Sequence, residues 1–329
     1  MFIGPFNIAL IGAGQLGSRH LQGLAKISKE CNITVVDPSS ASLELAKARY
    51  AECPANQKIH KIEFVSEIKS LPSELDCVII ATNSVVRRKI IEELLTYSRI
   101  HFLLLEKFLF PCEDDYAAVN ELLTRYNVKT FVNCPRRLFP YYRKIKELLN
   151  GQKILSVRVS GSNWGIGCNA IHFLDIITFL TESVDFVLEN CLEPIVLNSK
   201  RPGYIEFAGS IFGKFDNGTK FEITSHLDGE APILIEIQGE FINIVISESA
   251  GKLFYADKKD NWIWHEESIQ VLYQSGLSGI VADEILSNGT CGLVPFAWSA
   301  KCHLQLLKLF LNHKNAITSE GDKSLCPIT

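Results

Sequence analysis

The sequence predicts an α/β protein in two parts. A doubly wound parallel sheet spans residues 1–135, and an α+β domain with an open, mostly antiparallel sheet spans residues 136–329. Three observations predict this. An apolar run leads through a glycine-rich turn into a helix near the start of the chain. Strand-like runs then alternate with helical stretches as far as residue 132. Beyond Gly151, strand-like runs follow one another with turn signals between them and few helices. Alternation of the first kind means parallel βαβ units with right-handed crossovers, and succession of the second kind means antiparallel pairing. A chain of 329 residues is long enough for two cores.

Residues 6–11 are apolar at nearly every position, as a parallel strand covered on both faces requires. Gly12, Gly14 and Gly17 follow at the G-x-G-x-x-G spacing. The first glycine permits a tight turn, the second lets a pyrophosphate approach the backbone, and the third lets the next helix pack on the strand. That helix, expected over 15–28 with Leu16, Leu21, Leu24 and Ile27 inward, opens at Gln15 and points its amide-rich N-terminus at the phosphates. A second strand over 33–37 ends in Asp37, about 20 residues beyond Gly17, where a carboxylate can accept hydrogen bonds from the adenosine ribose hydroxyls.

The alternation continues with a helix through 43–48, strands at 62–65 and 77–81, and a turn at Thr82-Asn83-Ser84 that opens a helix over 85–97. A strand over 101–105 ends in Glu106-Lys107, and a helix near 114–126 leads to a strand at 129–132. In such sheets ligands bind beyond the carboxyl ends of the strands. Thr82, Asn83, Glu106, Lys107 and Asn133 all fall there. The candidate cofactor-binding residues are Gly12, Gly14, Gln15, Leu16 and Asp37 around the glycine turn, with Thr82, Asn83 and Glu106 at the later strand ends.

In the second half, a strand over 154–162 and a helix over 169–181 precede strands at 186–190, 205–215, 221–225, 233–238 and 241–247. Asp216-Asn217-Gly218 and Gln238-Gly239-Glu240 are turn signals. Helices over 278–286 and 296–313 follow, and the polar tail after Asn315 is expected to fray.

Composition narrows the partners. A net charge of −4 offers no electrostatic reason to expect nucleic acid or an anionic membrane. No apolar run reaches bilayer length, and no basic segment with an apolar stretch behind it opens the chain. The ten cysteines show no C-x-x-C pair and no metal-ligand spacing. Cys31, Cys77 and Cys191 lie in or beside apolar strand-like runs and read as buried thiols of a reducing cytoplasm, with no metal.

The Gly12-Ala13-Gly14-Gln15-Leu16-Gly17-Ser18-Arg19-His20 opening, the Glu106-Lys107 pair, Asn133-Cys134-Pro135-Arg136-Arg137 and Ile171-His172-Phe173-Leu174-Asp175 together resemble the glucose-fructose oxidoreductase and inositol dehydrogenase (Gfo/Idh/MocA) family. The resemblance covers roughly residues 6–313. It implies an N-terminal Rossmann domain, a C-terminal sheet domain, hydride transfer between nicotinamide and a sugar-like or polyol carbon, and homodimers or homotetramers built through that sheet. It also implies that Lys107 is the catalytic lysine and that His172 lies on a catalytic helix. His20 and Asn133 carry only this family weight. A rival implied by the same family is a non-catalytic dinucleotide- or ligand-binding regulator.

The chemistry can also be read from the residues. Oxidising an alcohol with NAD needs a group to take the hydroxyl proton and a donor to orient the oxygen. Lys107 leaves an apolar strand into the crevice and suits that task. His172 is a second acid/base candidate, and Asp175, three residues on, offers to orient its imidazole. The family usually has proline after the lysine, where this chain has Phe108, and often aspartate four residues before the histidine, where it has Cys168. Either His172 then works alone, Asp175 substitutes for the missing aspartate, or dehydrogenase activity is weak. Trp164 offers an aromatic face for a sugar ring or plain packing, and Asn133, Cys168 and Asn169 complete the candidate substrate contacts. Arg136 and Arg137 offer contact to an anionic substrate group or a solvated helix start. Pro38, Ser39 and Ser40 after Asp37 bring no cation, so NAD is expected over NADP.

Overall fold

A computed structural model describes residues 4–319 and 321–329. The chain forms two compact units. The first holds Met1–Phe110, Asp114–Pro135 and Leu272–Ala297, and the second holds Pro111–Glu113, Arg136–Val271 and Trp298–Thr329. The expected single division after residue 135 differs from these units in two places: residues 111–113 belong to the second unit, and residues 272–297 return to the first.

The elements of the first half are β1 (Phe6–Ile11), α1 (Gln15–Leu24), β2 (Cys31–Val36), α2 (Ser40–Ala51), β3 (Ile59–Val65), β4 (Glu74–Ile80), α3 (Ser84–Tyr97), β5 (Arg99–Leu105), α4 (Glu113–Arg125) and β6 (Lys129–Val132). After α5 (Pro140–Leu149) come β7 (Ile154–Ser162), α6 (Ile166–Thr181), β8 (Phe186–Leu192), β9 (Leu197–Asn198), β10 (Ile205–Glu206), β11 (Gly209–Phe215) and β12 (Lys220–His226). The last elements are β13 (Leu234–Gly239), β14 (Ile242–Ser247), β15 (Lys252–Asp257), β16 (His265–Ser268), α7 (Gln274–Asn288), β17 (Val294–Pro295) and α8 (Phe296–Ile317).

The first sheet runs β17-β6-β5-β4-β1-β2-β3, parallel throughout except for the added β17. The order reverses at β1, which pairs with β2 on one side and β4 on the other, so the ligand crevice opens at the carboxyl end of β1. Ile8 to Ile11 and Cys77 to Ile80 are buried, matching their continuous apolar runs. α1 stops at Leu24 rather than near residue 28, and Leu16 is 37% exposed instead of inward. On its other face α1 meets α7 closely: a Cβ on Gly279 would lie 2.6 Å from the Gly23 carbonyl. That contact and the pairing of β17 with β6 tie the late segment to the first unit.

The second sheet runs β16-β15-β14-β13-β7-β12-β11-β8, antiparallel except for the β7–β12 pair. One face carries the buried Ile211, Ile223, Val159, Ile235 and Ile246. The other leaves Val187 67% and Phe212 38% exposed. The expected strand 205–215 divides into β10 and β11, because buried Phe207 and Ala208 intervene and Gly209 takes φ +108°. β15 and β16 extend the sheet beyond the expected strands. Cys191 is exposed, not buried, because β8 is an edge strand. The tail does not fray throughout. Cys326 and Ile328 are fully buried, the Cys326 amide bonds to the Pro111 carbonyl at 2.9 Å, and the Pro327 carbonyl accepts from Ile205 N at 2.9 Å.

Among the described residues, no helix is long and apolar enough to cross a membrane. No group of His, Cys, Asp or Glu among them is arranged to hold a metal ion.

Candidate functional site

In the first unit the site begins with the glycine turn. Gly12 takes φ +93°, which L side chains rarely adopt. A Cβ on Gly17 would sit 1.7 Å from the Gly12 carbonyl oxygen, so only glycine lets α1 start this close to β1. A Cβ on Gly14 meets nothing within 4 Å, leaving open ground over the turn. α1 has no side-chain N-cap, so its first amides are not consumed by the protein's own side chains. Arg49 steadies that first turn by donating to the Gln15 carbonyl at 3.0 Å and to its Oε1 at 2.6 Å.

Asp37, the expected ribose acceptor, is already bonded within the protein. Its Oδ2 accepts from Ala13 N at 2.7 Å and its Oδ1 from Ser39 N at 2.8 Å, tying the end of β2 to the glycine turn. A carboxylate has about four lone-pair sites, so acceptor capacity remains. Beside it lies a cavity of about 370 Å³ whose walls include Gly12, Pro38, Ser66, Ile68, Thr82 and Ile90. The Thr82 hydroxyl is buried with no hydrogen-bond partner among the described residues. Asn83 is the N-cap of α3, its Oδ1 accepting from Val86 N at 3.4 Å. The open glycine turn, the residual acceptors on Asp37 and the orphaned Thr82 hydroxyl all fit a bound dinucleotide.

Lys107 is half-buried at the carboxyl end of β5, and its peptide bond to Phe108 is cis. Phe108, Leu109 and Phe110 behind it are fully buried. Glu106 points the other way, into a closed polar network. Its Oε1 meets His20 Nε2 at 2.8 Å and accepts from Asn133 Nδ2 at 2.5 Å. Asn133 also donates to Gln274 Oε1 at 2.8 Å, and His20 Nδ1 lies 2.9 Å from the Ser278 hydroxyl. Burial pushes the Glu106 carboxyl upward, but the bonds from His20 and Asn133 and the nearby Lys107 charge outweigh it and hold the group below its ordinary range. Glu106 and Asn133 are each 4% exposed. Glu106 Oε1 and Asn133 Nδ2, expected as cofactor and substrate contacts, are thus bonded to each other and to His20 and Gln274.

The second unit places His172 half-buried on α6. Glu206 caps this helix, accepting from Gly167 N at 2.8 Å and Cys168 N at 3.0 Å. Such a carboxylate complements both the free amides and the helix dipole. Cys168 donates its thiol hydrogen to the Thr329 carbonyl. Asn169 donates to the Trp164 carbonyl at 2.7 Å, and Trp164 Nε1 donates to the Thr224 carbonyl at 2.9 Å while its ring meets Phe173 edge-on at 5.4 Å. These three expected substrate contacts thus hold the entry to α6 in place.

Asp175 is 3% exposed and pairs with Arg137 Nε at 2.7 Å, so its carboxylate is committed to a partner other than the expected imidazole. Three residues advance about 300° around a helix, so Asp175 and His172 lie on adjoining parts of α6, and it is the bond to Arg137 rather than the helix register that takes up the carboxylate. Burial raises the Asp175 carboxyl above its usual value, and Arg137 opposes that shift. Arg136 grips Glu248 bidentately at 3.0 and 2.7 Å, with the hydroxyls of Tyr141 and Tyr142 on the same carboxylate at 2.7 and 3.0 Å. Neither arginine is the solvated helix start or anion contact expected of it.

Sequence reasoning missed Arg87, Arg49, Gln274 and Ser278. Arg87 had a signal: it shares the buried stripe of α3 with Ile91, Leu94 and Leu95. Gln274 and Ser278 had none, since nothing local ties residue 274 to residue 133.

A parallel sheet in the order 3-2-1-4-5-6, with this turn at its switch point, defines the class: a Rossmann-type dinucleotide-binding protein. Residues 6–134 match the Gfo/Idh/MocA family model, described as "Oxidoreductase family, NAD-binding Rossmann fold". Curated protein sequences yield no match. Solved structures share the fold over nearly the whole chain. An oxidoreductase from Agrobacterium radiobacter in complex with NAD+, L-tartaric acid and magnesium is 18% identical with a TM-score of 0.74, covering 94% of this chain and 97% of that one. UDP-N-acetylglucosamine 3-dehydrogenase from Acidithiobacillus ferrooxidans is 15% identical with a TM-score of 0.70 over 94% and 97%. The super-repressor mutant of Gal80p from Saccharomyces cerevisiae is 12% identical with a TM-score of 0.72 over 95% and 97%.

Proposed function

We propose that this protein is an NAD-dependent oxidoreductase that moves a hydride between nicotinamide and a carbon of a sugar, a polyol or a nucleotide-linked sugar. The observation that supports this best lies within the first unit: a dinucleotide cradle and a half-buried lysine at the ends of neighbouring strands of one sheet. Bound NAD supplies the hydride acceptor. Gly12, Gly14 and the first amides of α1 hold its phosphates, and Asp37 receives the ribose hydroxyls. Three carboxylates, Asp37, Glu67 and Glu93, line the adenosine cavity against one cation, Lys69, which is itself paired with Glu67 at 2.8 Å. A 2′-phosphate meets net negative charge there, which favours NAD over NADP.

When an alcohol is oxidised, its hydroxyl proton must leave as the carbon gives up hydride. The Lys107 amine takes that proton in this reading and returns it in the reverse direction, with His172 as the alternative acid/base. The protein acts in the cytoplasm as a homodimer or homotetramer assembled through the exposed sheet face bearing Val187 and Phe212, without nucleic acid or membrane partners. The test is absorbance at 340 nm with NAD or NADH and a panel of polyols, sugars and UDP-sugars. Turnover with any member supports the reading.

A second reading is a non-catalytic ligand-binding regulator. It is favoured by the commitment of Trp164, Cys168, Asn169 and Asp175 to internal contacts, and one structural neighbour is Gal80p, named as a repressor mutant. NADH binding without turnover across the whole panel would move the assignment there.

A further inference from the structure

Arg87 is fully buried in the first turn of α3. This is an expensive place for a cation, because burial strips its water and the helix N-terminus repels positive charge. Its guanidinium is spread over two separate turns of the first unit. Nη2 donates to the Thr82 carbonyl at 2.5 Å, and Nη1 donates to the Leu109 carbonyl at 2.7 Å and to the Phe108 carbonyl. One of these turns carries the orphaned Thr82 hydroxyl and touches the glycine turn, since a Cβ on Gly12 would lie 3.0 Å from Thr82 N. The other begins at the residue after Lys107.

From this geometry we infer that Arg87 is the positioning residue for Lys107, fixing the turn that carries the amine against the Thr82 wall of the dinucleotide cradle. A planar guanidinium can span three carbonyls at fixed angles, and an ammonium cannot. Burial of Phe108, Leu109 and Phe110 keeps the turn in the core, but apolar packing is non-directional and does not by itself orient the backbone before it. The directed bonds from Arg87 do. The inference deepens the proposed function and rests on its assignment of Lys107, but it can be tested without turnover.

The experiment is competitive acetylation of the intact protein, with each lysine's reactivity read by mass spectrometry relative to Lys26 and Lys47. Arg87→Met, which keeps the stem and loses the donors, is expected to change the relative reactivity of Lys107 at least threefold, and Arg87→Lys at least twofold. Leu94→Ala, a cavity in the same helix, is the control for general loosening and should leave the Lys107 ratio at its wild-type value while lowering the melting temperature. An unchanged ratio in Arg87→Met, or an equal change in Leu94→Ala, overturns the inference. If Arg87→Met does not fold, Arg87→Lys decides, and a wild-type ratio there overturns it. Because labelling needs no substrate, a wrong choice of reaction leaves this result standing.

Discussion

The His20 imidazole and the Glu106 carboxylate meet at 2.8 Å although 86 residues separate them, with His20 fully buried and Glu106 4% exposed. They lie beneath the residue next to Glu106, Lys107, and are completed by Asn133, Gln274 and Ser278. Since the folded Glu106 carboxyl lies below its ordinary range, the folded state takes up its proton later than the unfolded chain as pH falls. Its contribution is therefore fully present above the unfolded glutamate value of about 4.3 and is lost as pH falls from there through the folded value. Glu106→Gln should cost about 1.5–3 kcal/mol at pH 7, the scale of a hydrogen bond to a charged group. It should also flatten the acid fall in melting temperature. Thermal melts of both proteins from neutral to strongly acid pH check this, and parallel curves would count against it.

Cofactor choice follows from Asp37 and its acidic surroundings. NADH should bind the wild-type protein at least tenfold tighter than NADPH, and Asp37→Ser should narrow that gap from both sides. Nicotinamide fluorescence titrations measure both affinities, and stronger NADPH binding by the wild-type protein would refute the charge argument.

Lys107→Met should lower turnover by a factor of about 100 or more, the scale of one acid/base group, while NADH affinity stays within threefold of wild type. In the proposed function the amine acts on the substrate oxygen, whereas the amides after Gly12 and Asp37 hold the cofactor. Initial rates and NADH titration on the same preparation separate the two, and wild-type rates would remove Lys107 from the chemistry.

Asp175→Asn should destabilise the second unit by about 3–5 kcal/mol, because it strands Arg137 as a buried, uncompensated charge. The bond at 2.7 Å makes this a structural pair, so the acid limb of any measured pH–rate profile should stay where it is. Chemical denaturation gives the first quantity. A shifted acid limb with unchanged stability would instead restore Asp175 as the partner of His172.

The expected fold was visible wherever the signal was local. Glycine spacing at Gly12, Gly14 and Gly17 reflects one tight turn, and the continuous apolar runs of β1, β4 and β5 reflect strands covered on both faces. The placement of Asp37 and Lys107 just beyond β2 and β5 was legible because a strand end is a position in sequence as well as in space. The partners that Glu106, Asn133, Cys168, Asn169 and Asp175 take in the fold were not, because they depend on which donor or acceptor the packed chain brings within reach.

What the sequence by itself determined was the parallel sheet, its glycine turn and the identity of the acid and the lysine at its strand ends. These rest on periodicity and on residue types that few other backbones tolerate. Only the tertiary structure decided that α7 returns to the first unit, that Glu106 faces His20, that Asp175 serves Arg137 and that Arg87 spans two turns. Each of these is a contact between residues distant in the chain, or a choice among competing partners. Such choices are settled by burial: a polar group withdrawn from water must take whichever partner the packed helices and strands bring within reach.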